Sequence, residues 1–368
     1  MLPFVSVIVP VRNQRAMLPR LLDQLLAQNY PPDRFEILVV DGRSTDGTPD
    51  LVRRRFSDRR ASGHRASIRI LDNPKIRSSA GRNIGLRAAQ GDIFLFLEGH
   101  CAVPSRNLIE DSVAILERTG AGCLCRQQPL LAPSATDTGE VIAQVQSSWL
   151  GRDPFLCDAS HAGFVDPVRG GATYRREVFE QVGLYDESFD ACEDLELNTR
   201  VRQAGIAAFA DPRLAVNYQP CAHTGLLFRR MMRLGRARVR LMGKHPGCLS
   251  PAPPAAWLAP LALLLLVPLA AFAWCLLPIA AAALLTLPLA AFAIAVALAS
   301  LQLGARHRAG YAFSAPWIFS AIWFGLGAGL LLELLNPAPP RRGSPVESLV
   351  PREEPLELEV AANSARAA

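Results

Sequence analysis

Apolar residues recur along the first half of this chain with two alternating periods. Val5, Val7 and Val9 in Phe4 to Pro10 form a strand pattern closed by a proline, and Met17, Leu18, Leu21, Leu22, Leu25 and Leu26 then repeat at helical spacing. Phe35 to Val40 is a second strand delivering Asp41 to its carboxyl end, and a helix opens at Pro49. Arg53 to Arg65 reads as a polar connection, Ile68 to Leu71 as a third strand, and Ser79 to Ala89 as a helix. Ile93 to Leu97 is an unbroken apolar run rich in aromatics, the mark of a strand covered on both faces. It ends in Glu98-Gly99-His100. The pattern predicts an α/β fold with a doubly wound, mostly parallel sheet, in which this fourth strand is central.

Beyond it, Asn107 to Arg118 reads as a helix and Ala121 to Arg126 as a strand. Leu130 to Gln146 has no clear period and reads as a mobile loop over the site. Gly170 to Arg176 reads as a close-packed turn before a helix at Glu177 to Val182, and the acidic stretch from Phe189 to Leu197 enters a helix that stops at Gly205. Leu226 to Met242 then sets Phe228, Met231, Met232, Val239 and Met242 against Arg229, Arg233, Arg236 and Arg240, as an amphipathic helix on an anionic membrane surface would.

Three apolar segments follow, Trp257 to Leu277, Ile279 to Leu303 and Ala312 to Leu335, each long enough to cross a bilayer. Arginines before the first and after the second put both flanks inside and the N-terminal domain in the cytosol. The expected organisation is a domain over residues 1–225, a basic interfacial segment over 226–250, a membrane domain over 257–335 and a disordered tail over 337–368.

Composition sharpens this picture. The net charge is +6, and nearly all the cations are arginines, since lysine occurs only at Lys75 and Lys244. Their clustering beside the apolar segments points to phosphate or anionic-lipid contacts rather than nucleic acid. The eight cysteines show no zinc-type spacing and read as reduced thiols of a cytosol-facing protein. Met1 to Val9 lacks the charged start of a signal peptide.

Candidate chemistry gathers where strands end. Glu98 and His100, separated by a glycine that lets the backbone turn, are placed to hold a cation. Asp41 can accept hydrogen bonds from a nucleoside, whereas Asp46 reads as a turn cap. Arg82, at a helix start, can meet phosphate, with a surface arginine as the plain alternative. The acids from Asp190 to Glu196 either cap a helix or supply a general base. His223 can reach back as a further metal ligand.

The segments VSVIVPVRN, EILVVDGRSTDGT, AGRNIGLRAAQGDIFLFLEGH, GGATYRREVFEQVGLYDESF and CEDLELNTRVRQAG resemble, in order and spacing over roughly residues 4 to 220, the family 2 glycosyltransferases of the GT-A fold. The resemblance is closest to bacterial exopolysaccharide glycosyltransferases of the succinoglycan type, which share the Lys244-His245-Pro246 segment and C-terminal membrane helices. It implies inverting transfer of a single sugar from a nucleotide sugar, such as UDP-glucose, to a polyprenyl-diphosphate-linked saccharide at the inner membrane. It also implies a Mn2+ or Mg2+ cofactor on Glu98 and His100, which stand where the family carries Asp-x-Asp. Pro10, Asn13, Asp41, Arg82, Asn83, Glu98 and Gly99 would serve the nucleotide sugar. Gly170, Gly171, Arg233 and Arg236 would serve the acceptor, and Asp194, with Glu193, the base. No Gln-x-x-Arg-Trp motif of processive synthases is present. A nucleotidyltransferase and a donor-binding scaffold without turnover are the alternatives.

Overall fold

The computed structural model describes residues 2–61, 67–130, 137–153, 157, 160–247, 279–337 and 349. Its centre is an eight-stranded mixed sheet of order β3-β2-β1-β4-β8-β6-β9-β7. The strands are β1 (Val5–Val11), β2 (Phe35–Asp41), β3 (Ser67–Asp72), β4 (Ile93–Phe96), β6 (Cys123–Cys125), β7 (Gly163–Val165), β8 (Gly171–Arg175) and β9 (Ala208–Ala210). β5 (Cys101–Ala102) and β10 (Asn217–Tyr218) form a separate antiparallel pair. The first four strands in the order are parallel, as the βα alternation predicts, so their carboxyl ends share one edge.

Alternate residues of β4 serve two cores, which explains the absence of polar residues in it. Ile93 and Leu95 meet α1 (Leu18–Leu26) and α4 (Leu108–Thr119) on one face. Phe94 and Phe96 meet α3 (Ser78–Ala88), α6 (Arg176–Val182) and α7 (Glu193–Gln203) on the other. Phe96 makes edge contacts with Tyr174 and Tyr185 at centroid distances of 5.9 and 5.5 Å, so an aromatic cluster floors the charged turn that follows β4.

Several expectations change. Gly171–Arg175 is not a turn but the antiparallel strand β8, inserted between β4 and β6, so this half of the sheet is mixed. Arg53 to Ala61 lies within helix α2 (Thr48–Ala61) rather than in a connection. Asp137–Ser147 within the supposed loop is helix α5, with Val141, Ile142 and Val145 buried against the C-terminal helices.

Helix α8 (Thr224–Lys244) does not present its apolar face outward. Leu227 and Met231 are covered by α10 (Tyr311–Leu335), while Ala237 and Leu241 pack on Phe189, Cys192 and Leu195. Glycines allow the close approach: a Cβ at Gly329 would lie 2.0 Å from the Met232 carbonyl oxygen, and one at Gly235 would lie 2.2 Å from that of Leu326. One turn further along, the buried Glu333 accepts from Arg236 Nε at 2.7 Å and Arg240 Nε at 2.9 Å, so α8 and α10 run in the same direction. Gly329→Val should force this pair apart and cost about 1–3 kcal/mol, read as a lowered melting temperature in detergent. An unchanged melting temperature would mean the two helices do not pack here.

Of the three expected spans, Trp257 to Leu277 lies outside the described residues, and the others correspond to α9 (Ile279–Arg306) and α10. α10 is long and apolar enough to cross a bilayer, with mean hydropathy 1.9. Most of the expected disordered tail is also outside the described residues, but Leu349 is buried against the second core and its N–H donates to the Phe179 carbonyl at 3.4 Å.

Candidate functional site

The carboxyl edge of the parallel strands carries the site, and backbone strain concentrates there. Among the described residues, the non-glycine positions with positive φ are Asn13 (53°), Arg43 (55°), Ile76 (67°) and Cys192 (60°). The first three follow β1, β2 and β3, and Cys192 precedes α7. Such conformations persist only where the surroundings hold them, and they cluster at functional sites, which makes these turns candidates.

Two of these turns interlock. Asn13 N–H donates to Ser44 Oγ at 2.8 Å, and Asn13 Oδ1 accepts from the Thr45 N–H at 2.8 Å. Asp41 is buried at the end of β2; its Oδ2 accepts from the Ser44 N–H at 3.0 Å, while Oδ1 has no hydrogen-bond partner among the described residues. A buried carboxylate oxygen left open in this way suits a ligand donor. Asp46 caps its own turn, accepting from the Thr48 and Arg15 N–H groups, each at 2.9 Å. Pro10, the penultimate residue of β1, is buried under Gly81 of α3.

The turn after β4 is drawn in tightly. A Cβ on Gly99 would lie 2.8 Å from Val11 Cγ1, so only glycine fits between the β1 and β4 ends. Glu98 keeps a quarter of its side chain exposed (26%). The His100 ring meets Tyr218 edge-on at 5.6 Å, and burial holds its pKa below the ordinary value, with Arg230 adding to that effect and Glu98 opposing it. A neutral imidazole offers a lone pair. Arg126, buried at the end of β6, supports this turn from below, donating to the Phe96 carbonyl at 2.5 Å with the Tyr218 hydroxyl at 3.4 Å.

Arg82 joins the two halves of the site. Its guanidinium stacks over Tyr185 at 5.3 Å and donates from Nη2 to Glu98 and from Nη1 to Glu193. Glu193 is buried, and burial pushes its pKa up, as do the charges of Asp194 and Glu98, against the pull of Arg82. Asp194, the next residue, is exposed, and one of its oxygens accepts from the Leu195 N–H at 2.8 Å. The acidic pair is therefore divided: Glu193 anchors, and Asp194 stands free toward solvent.

Other residues singled out in the sequence fall elsewhere. Asn83 is a strut, with its amide bonded to both the N–H and the carbonyl of Tyr185, each at 2.9 Å. Arg82 is committed to carboxylates rather than left at a helix start for phosphate. Gly170 takes φ 111°, and Gly171 is packed so that a Cβ would lie 2.6 Å from the Tyr174 hydroxyl. His223 is exposed at the start of α8, and among the described residues no three His, Cys, Asp or Glu side chains gather as a metal cluster. Arg236 is held by Glu333, whereas Arg233 is exposed. Tyr185, Tyr218, Arg126 and Arg230 were not singled out; only Arg126, charged directly after a buried strand, carried a local sign.

Residues 6–183 match the model of Glycosyl transferase family 2. The chain is 28% identical over 244 residues to succinoglycan biosynthesis protein ExoA of Rhizobium meliloti, covering 65% of this chain and 70% of that protein. It is 23% identical over 249 residues to the dolichyl N-acetyl-alpha-D-glucosaminyl phosphate 3-beta-D-2,3-diacetamido-2,3-dideoxy-beta-D-glucuronosyltransferase of Methanococcus voltae, covering 66% and 74%. The fold is shared with mannosyltransferase PcManGT from Pyrobaculum calidifontis, solved in complex with GDP-Man and Mn2+, at a TM-score of 0.62 and 24% identity over 91% of this chain and 88% of that one. A sheet of this order, with charged groups collected at its carboxyl edge, has the GT-A fold, and residues 6–183 within it form a Glycosyl transferase family 2 domain.

Proposed function

We propose that this enzyme is membrane-bound and inverting, and that it moves one sugar from a nucleotide sugar, a UDP-hexose such as UDP-glucose, to a polyprenyl-diphosphate-linked saccharide. The observation that carries this reading is the Arg82 bridge: one guanidinium holds Glu98, on the donor side, and Glu193, whose neighbour Asp194 is exposed. Donor turn and base are thereby held at a fixed separation, which displacement at an anomeric carbon requires.

On the donor side, Asp41 and Asn13 receive the nucleoside, the open Oδ1 of Asp41 taking a hydrogen bond from it. The residues of the β4 turn fit a divalent cation: the His100 imidazole nitrogens and the partly exposed Glu98 carboxylate make a mixed donor set that Mn2+ accepts and Mg2+ takes less readily. Such an ion would counter the negative charge of the departing diphosphate. Asp194 takes the proton of the acceptor hydroxyl as its oxygen bonds to the anomeric carbon. The bond from that carbon to the phosphate oxygen breaks, and the nucleoside diphosphate leaves with the electron pair.

Of the arginines on α8, Arg236, Arg238 and Arg240 are matched by Glu333, Asp153 and Asp190. Arg229, Arg230 and Arg233 are exposed on its first half, and they face the lipid-linked phosphate of the acceptor, with Gly170 and Gly171 bordering the saccharide. The polyprenyl acceptor is supported by the dolichyl-linked substrate in the name of the Methanococcus relative, and a role in polysaccharide synthesis by the name of the Rhizobium one. The apolar α10 supports attachment to a membrane, and the arginines beside the apolar segments support a catalytic domain on its cytosolic side.

Membranes containing the protein, incubated with labelled UDP-glucose or GDP-mannose, test the reading: label should enter the lipid extract with release of nucleoside diphosphate, and chelator should suppress it. Release of inorganic diphosphate would indicate nucleotidyl transfer instead, and binding without turnover a scaffold. His100→Ala should lower transfer by about 10²-fold or more while leaving the circular dichroism spectrum and melting temperature unchanged. Normal turnover in that variant would remove the metal assignment.

A further inference from the structure

The far end of α8 grips the helix that carries Asp194. Glu196, within the first turn of α7, has a side chain with no exposed surface and accepts from Arg200 Nη2 at 2.8 Å and from Lys244 Nζ at 2.7 Å, with His245 Nε2 at 3.0 Å. Lys244 also reaches Asp186 at 2.6 Å, and Arg240 reaches Asp190 at 3.4 Å. Between these contacts, Ala237 and Leu241 pack on Phe189, Cys192 and Leu195.

The opposite side of the same segment is fastened by α3. Ser79 Oγ donates to the Phe189 carbonyl at 2.8 Å, and Arg77 Nη1 donates to that of Glu187 at 2.8 Å. The chain from Asp186 to Cys192 is thus held between α3 and α8 just before it takes the left-handed conformation at Cys192 and starts the helix. Charge balance alone does not call for this much. Arg200 lies one turn along the same helix, pairs with Glu196 through two nitrogens and also donates to the Leu184 carbonyl at 2.8 Å, so it neutralises the acid without help. Lys244 and His245 add a tether from a different helix.

We propose that Lys244 and His245 are positioning residues that fix the N-terminal turn of α7, and with it the Asp194 carboxylate, from the end of α8. The inference rests on the reading of Asp194 as the base. It gives the Lys-His pair a role through Glu196, without contact with substrate, and links the base to the helix that packs on α10.

The test uses the full-length protein in detergent with four variants, Lys244→Met, Lys244→Arg, His245→Gln and Asp194→Asn. Amide exchange over residues 190–197, which needs no substrate, should quicken in Lys244→Met and return toward the parent rate in Lys244→Arg. Turnover with UDP-glucose as donor should fall by about tenfold or more in Lys244→Met and less in His245→Gln, with UDP affinity within about twofold of the parent in both. A merely structural role would weaken UDP binding and turnover together and would gain nothing from arginine. Parent-like exchange and turnover in Lys244→Met, with Asp194→Asn inactive, would overturn the tether alone. Full turnover in Asp194→Asn would overturn both the base and the tether built on it.

Discussion

Arg82→Met is expected to abolish transfer and to destabilise the fold by about 3–5 kcal/mol, the cost of leaving a buried charge without its partner. The reason lies in what Arg82 holds. Glu193 has 10% of its side chain exposed, and the guanidinium is its salt-bridge partner; Glu98 is the other acid on the same fork. Without the fork, Glu193 must protonate or move, and Glu98 loses the contact that orients it. Arg82→Lys separates the two effects. Lysine restores a charge but presents a point rather than a planar fork, so it cannot hold two carboxylates in one geometry. Its melting temperature should recover toward the parent while transfer stays low. Denaturant unfolding and label transfer, measured on both variants, check this; a lysine variant with parent-like turnover would show that charge alone suffices at this position.

Asp194→Asn should reduce turnover by about 10²–10⁴-fold, the range general-base removal commonly produces, with little change in nucleotide affinity or stability. The side chain is exposed and, among the described residues, is bonded only to the N–H of the next residue, a contact asparagine keeps through its carbonyl oxygen. Little of the fold therefore depends on the negative charge. Titration with UDP alongside label transfer measures the two quantities; weakened binding with normal turnover would place Asp194 on the donor side and contradict a base.

How far the sequence could be read depended on how local the cause was. β4 was legible because burial on both faces writes itself into an unbroken apolar run, and Glu98 and His100 follow at once. Asp46 was legible as a cap because its partner Thr48 is two residues away. β8 was not, since its neighbours β4 and β6 lie far off in the chain and Gly170-Gly171 signals a turn. Its glycine is required by the Tyr174 hydroxyl and Asn198 rather than by a bend.

The same distance effect governed the charged residues. Nothing near Arg82 in sequence indicates that its partner is Glu193, more than a hundred residues on; the helix-start rule pointed to phosphate instead. Arg236 looked available because Glu333, which takes it, sits inside a segment otherwise read as lipid-facing. The amphipathic pattern of α8 was correct as a pattern, but its apolar face meets α10 and the α7 start, a partner the period cannot name.

The most direct measurement is a structure of the full-length enzyme soaked with UDP-glucose and Mn2+. The diphosphate should lie on the Glu98-Gly99-His100 turn, with the Asp194 carboxylate facing the opposite side of the sugar's anomeric carbon and Arg82 still joining Glu98 to Glu193. A diphosphate bound away from that turn, or an Asp194 on the same side as the leaving group, would contradict the account.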